Sequence, residues 1–262
     1  TAGELQRIFD HVRTFCGDPA WPRGELNLPR AFATEKAYPE DEAVIAMAFE
    51  DGAVDTDLIY ERRFGARNQI EFKLPIPSAR FDDGWGSGFG DLAVGVKRAI
   101  YHSFARGSIL SVAGEIILPT GNAERGRGKG TAVFEPFVSF GQILPQDVFL
   151  QFQGGIELPF DEARAEREGF WRFAVGRTFA ADRGYGRSWT PMLELVAARE
   201  LESGAIALWD AIPQLQVSLN QRQHILLSAG MRLPVNERAG RSKQFLFYVL
   251  WDWFDGGLFD GW

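Results

Sequence analysis

The sequence has a single cysteine, Cys16, so it can form no internal disulfide and no zinc or iron–sulfur site built from several cysteines. It has three histidines, His11, His102 and His224, and none has a ligand partner at i,i+3 or i,i+4. No stretch approaches the roughly 18–20 uninterrupted apolar residues that a membrane helix needs. There is no basic excess either. A net charge of −7 argues against a nucleic-acid partner, which requires a basic stripe. The opening TAGELQRIF has neither a basic start nor an apolar core, so no signal peptide is visible.

What the chain has in quantity is Phe (22), Trp (8) and Gly (29), within a composition that is 45% hydrophobic. That excludes disorder and favours strands and turns. Helical spacing is confined to the front, where Leu5, Ile8, Val12 and Phe15 recur and Phe9 and Cys16 widen the apolar face. This predicts one amphipathic helix ending at Gly17, followed by GDPAWPRGELNLP, an extended linker by its three prolines. Such a helix cannot bury its face alone and needs a partner.

Beyond about residue 41 alternation takes over. Candidate strands run roughly 42–51, 53–64, 68–77, 89–102, 107–118, 131–143, 147–159, 168–180, 187–199, 210–219, 223–234 and 243–254. They average about ten residues, the length of tilted membrane strands rather than the usual 5–6 or so of globular ones. The connections FGAR, FARG, LPQD and LNQR are short. SARFDDGWGSG, TGNAERGRGKG, DEARAERE and VNERAGRS are longer, charged and mostly glycine-bearing. Short turns at one end and long polar loops at the other describe an outer-membrane barrel.

The faces separate. In NQIEFKLPIP, Ile70, Phe72, Leu74 and Ile76 oppose Gln69, Glu71 and Lys73; in SVAGEIILPTGN, Val112, Gly114, Ile116 and Leu118 oppose Ser111, Ala113 and Glu115. In AVFEPFVSF, Phe137 falls on the polar side. Pro75, Pro136 and Pro191 within strands are a cost to any sheet, since proline suits edges and bulges. Arg98 and Arg177 land on the apolar face, where they can snorkel to an interface. A soluble sandwich also alternates, but the bulk and continuity of this apolar face favour a membrane barrel. The expected fold is therefore all-β, a transmembrane antiparallel β-barrel of about 12 strands with a short N-terminal helix. Residues 1–40 form a periplasmic helix and Pro-rich linker, and 41–262 the barrel.

In a barrel the polar face looks into the lumen. The expected lining is Glu71, Lys73, Asp91, Lys97, Glu115, Glu135, Glu157, Arg172, Glu194 and Arg232, with Asp55, Asp57, Glu61, Arg63 and Asp252 alongside. Such mixed charge either lines a water-filled pore or pairs across the barrel and closes it. A calcium site in DTDLIYERR is the weaker reading of its carboxylates. No catalytic set is apparent. His102 and Ser103 are strand neighbours and point to opposite sides, Gly-x-Ser-x-Gly is absent, and GNAERGRGKG lacks the Ser or Thr after Lys129 that a phosphate loop requires. No metal and no cofactor are expected in this chain, and no enzyme.

Three strings in order, FGDLAVGVKRAI, GEIILPTGN and GKGTAVFEPFVSF, carry a resemblance. They resemble the family of outer-membrane barrels associated with the meta-pathway of phenol degradation, whose Gly-Asp-Leu strand start, Pro-Thr-Gly-Asn turn and Gly-rich loop are here Gly90–Leu92, Pro119–Asn122 and Gly126–Gly130. The resemblance implies a barrel for uptake of hydrophobic compounds and outer-membrane lipid as its surroundings. ELQRIFDHVRTFC in turn resembles the last helix of a class I cytochrome c domain. No Cys-x-x-Cys-His accompanies it, so haem would sit in a segment upstream of Thr1 and the partner would be a periplasmic cytochrome. A solitary plug or docking helix is the alternative. The closing FLFYVLWDWFDGGLFDGW puts Phe245, Phe247, Val249, Trp251 and Trp253 in one outward row, as a terminal barrel strand would. The functional expectation is a passive channel for small or hydrophobic solutes. The alternatives are a sheath or anchor for a haem electron-transfer protein and a soluble β-sandwich that binds a ligand.

Overall fold

The computed structural model describes residues 3–5, 8, 26–65, 67–81, 84–182, 185–220 and 223–253. Among these residues fourteen strands alternate with turns: β1 (Glu42–Glu50), β2 (Ala53–Phe64), β3 (Asn68–Phe81), β4 (Gly84–Ser87), β5 (Ala93–Ser103), β6 (Ser108–Ile117), β7 (Val133–Leu144), β8 (Val148–Pro159), β9 (Glu168–Arg177), β10 (Phe179–Asp182), β11 (Tyr185–Glu200), β12 (Leu208–Ser218), β13 (Ile225–Pro234) and β14 (Gln244–Asp252). β4 and β10 are short extensions hairpinned onto β3 and β11. The other twelve pair antiparallel with their chain neighbours, and β14 returns to β1 from Phe49↔Phe245 to Glu42↔Asp252. The sheet closes on itself as a 12-stranded barrel, which leaves no second sheet for a sandwich.

The strands match the alternation to within a few residues. FGAR, FARG, LPQD and LNQR all fall at the end of the barrel where β1 begins and β14 stops, and the four longer segments fall at the other. Two glycines with positive φ, Gly65 and Gly107, make the tight reversals after β2 and β5. At the long-loop end, residues 51–52 form a two-residue hairpin against the trend.

Outward side chains have no protein to pack on. Val96 is 54% exposed, Phe245 49%, Ile45 46% and Phe173 46%, an apolar surface suited to lipid. Exposed aromatics gather at both rims: Phe64, Tyr101 and Trp189 at the short-turn end, Trp85 and Phe160 at the other. Trp253 departs from the rest of the expected outward row in its burial, not in its direction. It lies past β14, is buried, donates its backbone N–H to the Asp41 carbonyl at 2.9 Å, and sets its ring 6.1 Å from that of Tyr60.

The strand prolines sit where a ladder is interrupted. The β3–β5 pairing stops at Lys73↔Ala93, before Pro75; the β7–β8 register skips Pro136; and β11 meets β9 only from Met192, after Pro191. None of the three displaces a ladder hydrogen bond on that side. Val138, two residues on from Pro136, is paired on both flanks, to Val112 and to Gly154. Val138→Pro is therefore expected to cost several kcal/mol and abolish the heat-modifiable folded band on gels, whereas Pro136→Ala leaves that band in place.

Of the expected helix, Gly3–Leu5 and Ile8 are helical. His11, Cys16 and the rest of that segment lie outside the described residues, as do residues 254–262.

Candidate functional site

The stretch 26–41, without helix or strand beyond a single 3-10 residue, runs inside the barrel. It enters at the short-turn end, reaches mid-barrel at Phe32–Glu35 and returns to join β1. Its apolar residues touch the wall on all sides. Leu26, Ala37 and Tyr38 pack with Ala99 and Ile109; Leu28 packs with Phe149 and Met192; Phe32 packs against Val44, Tyr248 and Leu250. Two glycines make room. A Cβ on Gly141 would lie 2.9 Å from Leu28 Cδ1, and one on Gly230 2.9 Å from Phe32 Cε2.

The polar groups of this plug are matched one by one. Glu194 Oε2 accepts the backbone N–H of Ala33 at 3.0 Å and of Thr34 at 2.9 Å, and the Thr34 hydroxyl at 3.0 Å. Arg172 donates to the Ala33 carbonyl and to Gln153 Oε1, each at 3.0 Å, while the Glu35 N–H donates to the same Gln153 oxygen. Gln151 donates to the Pro29 carbonyl at 2.8 Å, and Tyr248 to that of Arg30 at 2.6 Å. Backbone groups without a partner here would each cost about 1–3 kcal/mol, so the wall supplies what a strand ladder supplies elsewhere.

Charges lock the base. Arg30 bridges Glu61 at 2.6 Å and also pairs with Glu42; Lys36 Nζ reaches Glu40 at 2.6 Å and Glu42 at 3.1 Å; Lys97 Nζ reaches Glu35 at 2.7 Å. Burial pushes the Glu40 carboxyl up, with Lys36 drawing it down. Burial acts the same way on Glu35, but Lys97 and Arg30 outweigh it and hold that carboxyl below the usual range. The carboxylate groups Glu40–Glu42–Asp252 and Glu35–Glu61–Glu71 have the spacing of metal ligands, but the protein's own Lys36, Arg30 and Lys97 stand among them.

Beyond the plug tip the interior opens. A cavity of about 520 Å³ is bounded by Asp55, Asp57, Lys73, Asp91, Glu115 and Lys129, and one of about 270 Å³ by Phe32, Asp55, Asp57, Ile212 and Arg232. Here Lys73 pairs with Asp57 at 3.3 Å, Arg232 with Asp210 at 2.8 Å, and Lys129 with Glu157. Asp91 is buried and accepts the N–H of Gly121 at 2.8 Å and of Lys129 at 2.7 Å, which folds the 118–132 loop over the mouth. Thr120 fixes the same corner by donating to the Gly90 carbonyl at 3.0 Å.

The ten expected lumen residues thus fall into three groups. Glu194, Arg172 and Lys97 hold the plug. Asp91, Glu157, Lys73 and Arg232 are engaged in the upper cavity walls and loop. Glu71, Glu115 and Glu135 have no hydrogen bond or ion pair with any described residue. The calcium reading of DTDLIYERR is not met, because Asp57 turns to Lys73, Glu61 to Arg30 and Arg63 to Asp41. Phe137, on the polar side of its strand, borders a small void beside Glu35 and Glu71. The plug contacts of Arg30, Lys36 and Glu35 were not legible. Their stretch reads as linker, and only the closed wall supplies its partners.

Arg30→Ala leaves Glu42 and Glu61 buried without their guanidinium, and is expected to destabilise the detergent-solubilised protein by about 3 kcal/mol. Adding Glu42→Gln and Glu61→Gln should restore most of that. Equal unfolding midpoints in native protein and Arg30→Ala would contradict the ion-pair assignment.

A family model described as "Putative MetA-pathway of phenol degradation" matches residues 49–194. No curated protein sequence matches significantly. Among solved structures, the COG4313 outer membrane channel from Pseudomonas putida F1 is similar with a TM-score of 0.58 at 13% identity, over 86% of this chain and 100% of that one. The NanC porin is similar with a TM-score of 0.55 at 10% identity, over 81% and 98%. The KdgM porin, in complex with disordered oligogalacturonate, gives 0.50 at 8%, over 81% and 99%. At these identities the likeness is one of fold.

Proposed function

The chain belongs to the family of the MetA-pathway of phenol degradation and is an outer-membrane β-barrel, and we propose that it works as a passive channel for small or hydrophobic solutes. The observation that carries this reading is the open upper interior, about 520 Å³ between charged walls, standing directly above a plug that narrows the lower half. The barrels it resembles in fold are porins and channels, which supports the same conclusion. Apolar wall residues such as Pro75, Pro77, Ala93 and Ile117 interleave with the carboxylates, so the interior accepts an apolar body as well as water.

The plug sets the size limit. Its tip, Phe32 and Ala33, forms part of the floor of the 270 Å³ cavity, and Glu194 holds that tip through three consecutive amides, those of Phe32, Ala33 and Thr34. In planar lipid bilayers the native chain is expected to give small, discrete conductance steps. Glu194→Ala should enlarge or destabilise them by releasing the tip. Insertion of the native protein with no current in either form would contradict the channel reading and favour a closed barrel serving as an anchor.

A further inference from the structure

The strand register assembles a feature that no single strand displays. Starting at Asp252 on β14, the residue directly across on each next strand is Glu42, Glu61, Glu71, Gly95, Glu115 and Glu135. The register on either side of Pro136 sets Glu135 across from Glu157, and Glu157 then pairs with Glu168 and Glu168 with Glu200. Ten neighbouring strands thus present nine carboxylates and one glycine in a single cross-strand row. Like charges directly opposite one another in a sheet repel, and a protein that accumulates them needs a compensating charge.

At the lower end that charge is supplied. Arg30 serves Glu42 and Glu61, and Lys36 adds to Glu42. At the upper end Lys129 serves Glu157. In the middle no described cation comes within ion-pair distance. Glu71, Glu115 and Glu135 have no ion pair or hydrogen bond with any described residue, although Glu135 is only 9% exposed and sits opposite Glu115 on the inner face. The cations around it are committed elsewhere, Lys73 to Asp57, Lys97 to Glu35, Arg30 to Glu42 and Glu61, and Arg172 to Gln153 and the Ala33 carbonyl. Gly95 bears no side chain, so Glu71 and Glu115 approach over it; a Cβ there would stand 3.7 Å from Glu71 Cβ and from Glu115 Oε2. Beside it lies a void of about 10 Å³ bordered by Glu71, Glu115 and the Glu35–Lys97 pair, about the size of one water. Glu115 also borders the 520 Å³ cavity, so the row leads from the open upper interior to the flank of the plug.

We propose that this row is a cation track, in which Glu71, Glu115 and Glu135 hold mobile small cations and make the lumen selective for them. The inference deepens the channel reading and rests on it for current. The mechanism is that of carboxylate-lined cation pores, where fixed acidic groups replace part of an ion's hydration and exclude anions.

The test is the reversal potential of the full-length chain in planar bilayers under a potassium chloride gradient. Potassium is expected to be preferred over chloride by about tenfold, the lower range of counter-ion enrichment in a charged cleft. In the triple variant Glu71→Gln, Glu115→Gln and Glu135→Gln that preference should fall towards unity, with the unfolding midpoint unchanged or raised because repulsion is relieved. An anion preference, no preference, or a preference that survives the triple substitution overturns the proposal. If the native chain passes no current at all, the channel reading fails while the row is still tested, by equilibrium dialysis of the detergent-solubilised protein against calcium as probe cation. Bound calcium that is lost in the triple variant supports the row; none bound, or equal binding in both proteins, overturns it.

Discussion

The interior of this barrel depends on one arrangement, the seating of residues 26–41 against the wall through Glu194, Arg30 and Lys97. Without it, a lumen carrying Glu42, Glu61 and Glu194 fully buried would hold uncompensated charge, which is strongly destabilising. With it, each of those carboxylates has a specific donor: two guanidinium contacts at the base and three successive amides at the tip. The polarity that an outer-membrane barrel must turn inward is here spent on holding its own chain. The lower lumen is consequently narrowed and the upper lumen left open.

The same division orders the rest of the molecule. Small wall residues, Gly141 and Gly230, lie where Leu28 and Phe32 press outward, so the wall is shaped to the plug as well as charged for it. Above the tip the wall carries Asp55, Asp57 and Lys73, and the mouth is trimmed by the 118–132 loop that Asp91 gathers. The Gly-Asp-Leu and Pro-Thr-Gly-Asn strings that carried the family resemblance meet at this corner, through Asp91 to Gly121 and Thr120 to Gly90. Their spacing is therefore a structural clamp on the channel mouth.

Twelve strands and both sets of connections were legible in the sequence, because a membrane barrel writes its faces as strict alternation and its two ends as short and long turns. Glu115, a charge in a strand whose other side is apolar, signalled an interior without help from tertiary structure. Other features had no local signature. Residues 26–40 read as linker because their partners lie on strands up to about two hundred positions away, as with Tyr248 and the Arg30 carbonyl. Trp253 continues the outward alternation past the end of β14, but its burial against Tyr60 had no sign in the sequence. The glutamate row exists only in the register, since its members are spread from Glu42 to Asp252 and no two of them are closer than 10 positions.

The central claim is that the plug is seated in the barrel by backbone contacts to the wall, and hydrogen–deuterium exchange of the detergent-solubilised protein tests it most directly. The amides of Phe32, Ala33, Thr34 and Glu35, which donate to Glu194 and Gln153, should exchange as slowly as those of the strands around them. Exchange of those four amides at the rate of an unstructured chain, with the strands still protected, would contradict the account.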